Sequence, residues 1–235
     1  MTERSKPSAL ATGASPFATF VQTIPKLPAV LRRMRPTWHL ASLDAVNDAF
    51  LRQHGITGLI WDVDGTLTGD RQPELASVAA AAFRALLAVT GLRHVVLSNA
   101  GEERFRQLGG MFPAVPILRA YALGDQVLYR RLVGNQDTWT SGDLDRQLAA
   151  GARVIRKPNT LLVDYAVREL GCDKDAAVMI GDQYMTDIAG ANFAGVRSIK
   201  LPTLAQESFR PSVRFSQRLE LAIYAVLHGR AEMTG

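Results

Sequence analysis

Short apolar runs alternate with amphipathic segments of helical length, and this alternation constrains the fold more than any other feature of the sequence. Residues 58–63 (GLIWDV), 94–99 (HVVLSN) and 176–182 (AAVMIGD) have the length and composition of buried strands. Strands that alternate with helices favour a parallel sheet covered on both faces. The sequence therefore predicts an α/β fold, a Rossmann-like three-layer α/β/α sandwich with a mainly parallel sheet.

The helical segments between the runs carry recognisable boundaries. Residues 73–89 have helical periodicity, with Pro73 expected in the first turn and Gly91 beyond the end. Residues 159–170 and 212–228 are further amphipathic segments, the second of them close to the carboxyl terminus. These segments predict the helical layers of the sandwich.

Changes in composition along the chain suggest where its parts begin. Residues 1–16 are rich in Ser, Thr, Ala and Pro and are expected to be a disordered tail. Residues 17–57 form an arm and lead-in, and residues 58–235 form the α/β domain. The alternation of strands and helices is interrupted at about residues 121–151. We interpret this stretch as a small insertion that contains a hairpin and a helix. It is too small to form a large cap.

The arm combines apolar residues with arginines. Residues 17–35 alternate Phe, Ile, Leu and Arg, and two prolines interrupt any single helix there. Such a segment can lie on an anionic membrane surface or pack onto the domain. Both interpretations are open from the sequence.

Charge and cysteine content narrow the choice of partners and compartment. The net charge is +5, but the aromatic residues are not interleaved with Lys and Arg, so no nucleic-acid partner is expected. The single cysteine, Cys172, suits a reducing compartment. We find no signal peptide or spanning segment, and expect a cytoplasmic protein with peripheral contact at the inner membrane face as an option.

Polar side chains collect where the predicted strands end. Asp62 and Asp64 follow the first strand, Ser98 and Asn99 the second, and Asp182 a later one. Because the carboxyl ends of parallel strands share one edge, we expect these side chains to meet there. Two carboxylates after a buried strand need a positive partner, and a divalent cation is a natural one.

Four stretches at this edge resemble the motifs of the haloacid dehalogenase superfamily of phosphohydrolases. DVDGTLT resembles the first motif, LSN the second, RKP the third and GDQYMTD the fourth, in the family's order. The resemblance covers about residues 58–201. It implies a phosphatase that forms an aspartyl-phosphate. The acid at Asp64, two residues after Asp62, favours a phosphatase because transport ATPases and dehalogenases of the family lack an acid there.

The resemblance also implies a role for each matching residue. The implied catalytic residues are Asp62 as nucleophile, Asp64 as acid and base, and Lys157 as the neutralising cation. Thr66, Ser98, Asn99 and Lys157 would bind the substrate, Mg²⁺ would be held by Asp62, Asp64 and Asp182, and Asp187 would support the metal site.

A closer resemblance is to the YqeG-like, phosphatidylglycerophosphate phosphatase branch of subfamily IIIA. The apolar lead-in and the pattern GDQ…TD…GAN carry it, while Gly65 stands where that branch commonly has Asn. It implies a phosphorylated lipid headgroup as substrate. Phosphatases of soluble sugar phosphates or nucleotides, and a non-catalytic basic binding module, are the alternatives, and the oligomeric state is open.

Overall fold

A computed structural model describes residues 27–229 of the chain. The predicted tail, 1–16, and the first part of the arm, 17–26, lie outside the described residues. In the described part, no helix has both the length and the apolar character needed to cross a bilayer.

The core of the fold is one mixed sheet in the order β1-β9-β8-β2-β3-β4-β5-β6, with β7 paired to β4. From β1 to β4 neighbouring strands are parallel, while β5, β6 and β7 pair in antiparallel fashion. The strands are β1 (Trp38–His39), β2 (Gly58–Trp61), β3 (Arg93–Leu97), β4 (Ile117–Leu123), β5 (Gln126–Val133), β6 (Gln136–Asp137), β7 (Arg153–Ile155), β8 (Ala177–Gly181) and β9 (Arg197–Lys200).

Helices cover both faces of this sheet, as the alternation of the sequence predicts. Along β2, Leu59 and Trp61 join one buried cluster, and Ile60 joins the cluster on the opposite face. The helices are α1 (Leu27–Arg32), α2 (Asp48–Gln53), α3 (Ser77–Leu87), α4 (Glu102–Met111), α5 (Ser141–Ala149), α6 (Thr160–Leu170), α7 (Ala189–Ala194) and α8 (Pro211–His228). The three-layer α/β/α prediction is confirmed.

The start of α3 differs from the sequence prediction. Residues 73–76 are not helical, and Pro73 lies outside the first turn. The preceding turn uses this backbone instead: Arg104 donates to the carbonyl of Gln72 at 2.8 Å, and the amide of Ala76 donates to Leu67. Hydrogen bonds to α4 and to the loop after β2 occupy this backbone, and the helix begins four residues later than predicted.

Residues in the predicted insertion extend the sheet. Strands β4 and β5 form a hairpin, α5 follows with a capping box between Thr140 and Asp143, and β7 returns along β4. Arg130 of β5 ties the hairpin to the domain, because its guanidinium bonds both Glu102 of α4 and Asp137 of β6. The hairpin therefore adds antiparallel strands to the edge of the parallel sheet.

The described part of the arm packs onto the domain beside α8. Met34 is fully buried in a cluster with Tyr184, Ile188 and Tyr224, and Leu31 packs against this cluster. The carbonyl of Leu31 lies 2.9 Å from Nε2 of His228, the last residue of α8. For residues 27–35, packing on the domain is the arrangement that the structure contains.

Candidate active site

The register of the central strands brings separated acids together. Trp61 of β2 pairs with Ile180 of β8, so the chain leaves both strands at the same level, with Asp62 and Asp182 as neighbours. Lys157 arrives by a different route. Strand β7 runs antiparallel along β4, and Lys157 follows it to the end of β3, where Nζ donates to the carbonyl of Leu97 at 2.8 Å.

Lys157 lies between two carboxylates. Its Nζ is 2.5 Å from Oδ1 of Asp62 and 2.7 Å from Oδ1 of Asp187, and Lys157 is only 2 % exposed. A one-turn π-helix, Tyr184–Ile188, brings Asp187 back towards the strand end, and the amide of Gln183 donates to its Oδ2. Burial alone would lower the pKa of Lys157, but the charges of Asp187 and Asp62 outweigh it and raise this pKa.

Three buried carboxylates form a group with the spacing of a metal site. Ligand oxygens of Asp62, Asp182 and Asp187 lie within 4.8 Å of one another. Burial, followed by the charge of Asp187, raises the pKa of Asp182 to about 6. Burial also raises the pKa of Asp62, against the opposing pull of Lys157 and with the help of the other two acids. The mutual repulsion of closely spaced, buried carboxylates favours binding of a cation.

Gly65 permits the close approach of the first motif to Asp182. Its φ is +97°, in the left-handed region, and a Cβ built on it would lie 2.6 Å from Oδ2 of Asp182. The asparagine that the YqeG-like branch commonly has at this position would require Asp182 to move.

Asp64 is held by a separate set of donors. Nη2 of Arg104 lies 2.7 Å from its Oδ1, the Thr68 hydroxyl donates to the same oxygen at 3.3 Å, and the amide of Arg71 donates at 3.2 Å. Arg104 is itself 5 % exposed. Asp64 therefore lies beside Asp62 in sequence but belongs to a different hydrogen-bond network.

The remaining predicted residues take up varied positions. The Thr66 hydroxyl donates to Oδ2 of Asp62 at 3.2 Å, so it contacts Asp62 and not Asp64. The side chain of Asn99 bonds the backbone of Lys157 in both directions, at 2.8 and 3.2 Å. Ser98 Oγ accepts from the amide of Ala100, which leaves its own proton available for donation.

Asp62 and Asp64 both face a cavity of about 210 Å³. Ser98 and Asn99 line one side of it, and four residues of α8 line another: Val213, Ser216, Gln217 and Glu220. Among the described residues, none from 121–151 lines this cavity. The terminal helix, and not the insertion, covers the site.

Comparison with known proteins finds similarity to hydrolases in part of the site and to one phosphatase over most of the chain. A family model described as HAD-hydrolase-like matches residues 154–203, which contain Lys157, Asp182 and Asp187. The chain is also 24% identical over 178 residues to the "Probable phosphatase YqeG" of Bacillus subtilis (strain 168), covering 75% of this chain and 81% of that protein. The chain is thus similar to HAD-like hydrolases over residues 154–203, and to a probable phosphatase over three quarters of its length.

Two solved structures are also similar to this chain. An uncharacterized protein from Listeria monocytogenes serotype 4b aligns over 62% of this chain and 78% of its own, with 22% identity and a TM-score of 0.40. A 4-nitrophenylphosphatase from Thermotoga maritima aligns over 68% and 90%, with 15% identity and a TM-score of 0.30.

Several residues of the phosphatase site were not anticipated from its sequence. Arg104 reaches Asp64 from α4, the Thr203 hydroxyl donates to Oδ2 of Asp182 at 2.8 Å, and Glu220 accepts a short hydrogen bond from the amide of Met185. Burial raises the pKa of Glu220 to about 8. The only sequence signal for Glu220 is an acidic residue within an apolar helical segment.

Proposed function

We propose that the chain is a Mg²⁺-dependent phosphomonoester hydrolase that acts through an aspartyl-phosphate on Asp62. The observation that carries the proposal is the position of this carboxylate. Asp62 faces the cavity, with Lys157 at 2.5 Å from one oxygen and Thr66 at 3.2 Å from the other. A fixed carboxylate beside a buried cation can approach a phosphate anion that a free carboxylate would repel.

The first half-reaction forms an ester on the enzyme. An oxygen of Asp62 attacks phosphorus, the bond from phosphorus to the substrate oxygen breaks, and protonated Asp64 gives its proton to the departing alkoxide. Lys157 balances charge on Asp62 and the phosphoryl group. Ser98 lines the cavity with a proton free to donate to a phosphoryl oxygen.

The second half-reaction regenerates the enzyme. Asp64, now a carboxylate, takes a proton from water, and the water oxygen attacks phosphorus. The bond between phosphorus and Asp62 breaks, which releases inorganic phosphate. Arg104 keeps Asp64 in place through both steps by its 2.7 Å contact.

The buried acids fit a magnesium ion. Oδ1 of Asp182 is buried and has no hydrogen-bond partner among the described residues, and oxygens of three carboxylates lie within 4.8 Å of one another. Asp62, Asp182 and the backbone carbonyl of Asp64 would hold the ion, and Asp187 would hold Lys157 beside it. The ion would supply charge neutralisation for the carboxylates and the phosphoryl oxygens.

We propose phosphatidylglycerophosphate as the substrate, at the cytoplasmic face of a membrane. Similarity to the YqeG-like branch supports a lipid headgroup phosphate. The exposed arginines of the arm support it as well, because Arg32, Arg33 and Arg35 stay at the surface while Val30 and Met34 are buried. We propose that the arm, residues 17–35, contacts the membrane through these arginines.

A phosphate-release screen tests the proposal. We expect Mg²⁺-dependent hydrolysis of p-nitrophenyl phosphate, and faster hydrolysis of phosphatidylglycerophosphate than of sugar phosphates or nucleotides. Asp62→Asn should lower turnover by roughly 10³-fold or more without loss of fold. Preference for a soluble phosphate would reject the lipid, and absence of turnover with any metal would favour a binding module.

Asp64→Asn separates the two half-reactions. p-Nitrophenolate leaves without a proton, so we expect a burst of one product per enzyme followed by slow turnover, because water is no longer activated. Rapid-quench kinetics with p-nitrophenyl phosphate measure the burst. Linear product release at the wild-type rate would exclude Asp64 as the base.

A further inference from the structure

Helix α8 is amphipathic, but polar side chains lie on the side that faces the protein and apolar ones on the side that faces solvent. A helix packed on a core has the opposite arrangement. Its buried side carries Gln217, Glu220 and Tyr224, which are 6 %, 8 % and 5 % exposed. Two of these three are polar, and both line the cavity that contains Asp62. Tyr224 packs in the cluster with Met34, but at Gln217 and Glu220 the side of α8 that faces the protein is polar, so the hydrophobic effect accounts for only part of its orientation.

The opposite side of α8 is apolar and faces solvent. Phe215, Leu219, Ala222 and Val226, here called the outer stripe, follow one another at intervals of four, three and four residues, which places them on one face. Phe215 is 69 % exposed and Val226 is 84 % exposed. Leu221 and Leu227 add further exposed apolar area beside the stripe.

The charged residues on the outer side of α8 itself are arginines. Arg210 precedes the helix, and Arg214 and Arg218 lie one and two turns further along it. The acidic residue of the helix, Glu220, is buried on the inner side. The solvent side of α8 therefore presents apolar side chains flanked by arginines.

We propose that the outer stripe docks on an anionic lipid bilayer. Apolar side chains of such a helix enter the boundary between headgroups and acyl chains, and the arginines bind headgroup phosphates. A second copy of the chain is a poorer occupant, because it would bring like-charged arginines together. The inner side of α8 lines the cavity, so docking through the outer stripe would hold the cavity one helix diameter, about 10 Å, from the bilayer. The proposal goes beyond the proposed function, since binding requires no turnover.

Vesicle sedimentation tests the docking. We expect the full chain to pellet with vesicles of phosphatidylglycerol and phosphatidylcholine, more weakly with phosphatidylcholine alone, and less as salt is added. The double variant Phe215→Glu, Val226→Glu should bind anionic vesicles at least tenfold more weakly. Arg214→Gln and Arg218→Gln should each weaken binding about fivefold.

Val78→Glu is the matched control, because Val78 is an apolar residue of α3 that is 66 % exposed. It should bind vesicles as the wild type does, and all variants should keep turnover of p-nitrophenyl phosphate. Equal loss of binding in Val78→Glu would overturn the proposal. So would a wild-type dimer that the stripe variants dissociate, or vesicle binding seen only after removal of residues 1–26.

A second, independent observation concerns Gln217. Neither Nε2 nor Oε1 of its amide has a hydrogen-bond partner among the described residues, although both atoms are buried. An unpaired buried amide is costly in a folded protein, so a ligand group that pairs with it would be favoured. We infer that Gln217 binds a hydroxyl next to the phosphoester of the substrate, because a hydroxyl both donates and accepts. The inference rests on the proposed function.

Two substrates separate this role from a structural one. Gln217→Leu should lower kcat/KM for glycerol 3-phosphate, which has a hydroxyl beside the ester, by about tenfold. The loss of kcat/KM for p-nitrophenyl phosphate, which has none, should be several-fold smaller, so the ratio of the two constants should change. Equal losses on both substrates would overturn the inference, whereas wild type inactive on both would overturn the proposed function itself.

Discussion

At the scale of single residues, the balance of charge around Lys157 determines what the site can bind. Its ammonium contacts Asp62 and Asp187, and Asp182 lies in the same group with one oxygen unpaired. Separate donors hold Asp64 outside this group. Asp62 and Asp64 thus have different hydrogen-bond partners although one residue separates them.

Substitution of Arg104 tests whether this residue positions Asp64. Arg104→Lys removes the planar donor pair that reaches Asp64 and the carbonyl of Gln72 together. We expect kcat for p-nitrophenyl phosphate to fall about 10- to 100-fold, with KM within about twofold, because a displaced Asp64 transfers protons poorly. Steady-state kinetics measure the split between the two constants.

Arg106→Lys serves as the control for Arg104→Lys. Arg106 belongs to the same helix but pairs with Glu102 at the surface, 3.2 Å away. Equal loss of kcat in both variants, or a change in KM alone, would argue against positioning of Asp64.

At the scale of elements, the β4–β5 hairpin is attached to the domain through charge. Glu102 at the start of α4 binds the guanidinium groups of Arg119 and Arg130, which are 4 % and 1 % exposed. Both guanidiniums also stack over the ring of Phe105, at 4.3 and 4.7 Å. One carboxylate therefore links two strands and a helix.

Glu102→Gln should destabilise the fold by about 2–3 kcal/mol, since it leaves two buried cations with too few anions. Urea denaturation of the free protein measures the change in the free energy of unfolding. Glu103→Gln, a change at the exposed neighbour on the same helix, should stay within about 0.5 kcal/mol of wild type. Similar losses in both variants would show that the charge link is not what attaches the hairpin.

At the scale of the whole molecule, the sequence predicts strand-borne parts of the site better than helix-borne parts. Asp62, Ser98 and Asp182 follow strands whose apolar runs are plain in the sequence, and parallel pairing then places them together. Arg104 and Gln217 come from helices, where a side chain's neighbours depend on how the helix packs. Periodicity marks α8 as amphipathic, but it does not reveal that the polar side is the buried one.

Magnesium should stabilise the entire fold, because binding to the native state alone shifts the unfolding equilibrium. At a concentration of 100 times Kd the gain is about 2.7 kcal/mol. Thermal unfolding with and without Mg²⁺ measures it, and Asp182→Asn should abolish the shift. Asp173→Asn, at an exposed acid, should preserve it; an equal shift in Asp182→Asn would place the ion elsewhere.

The covering of the cavity by α8 bears on the order of events during synthesis. Residues that bond Asp62, Asp64 and Lys157 all precede α8 in the chain, so they can leave the ribosome and pair first. The wall formed by Gln217 and Glu220 emerges after them. A nascent chain stalled before Arg210 would then carry Asp62, Asp64 and Lys157 in a cleft that lacks this wall.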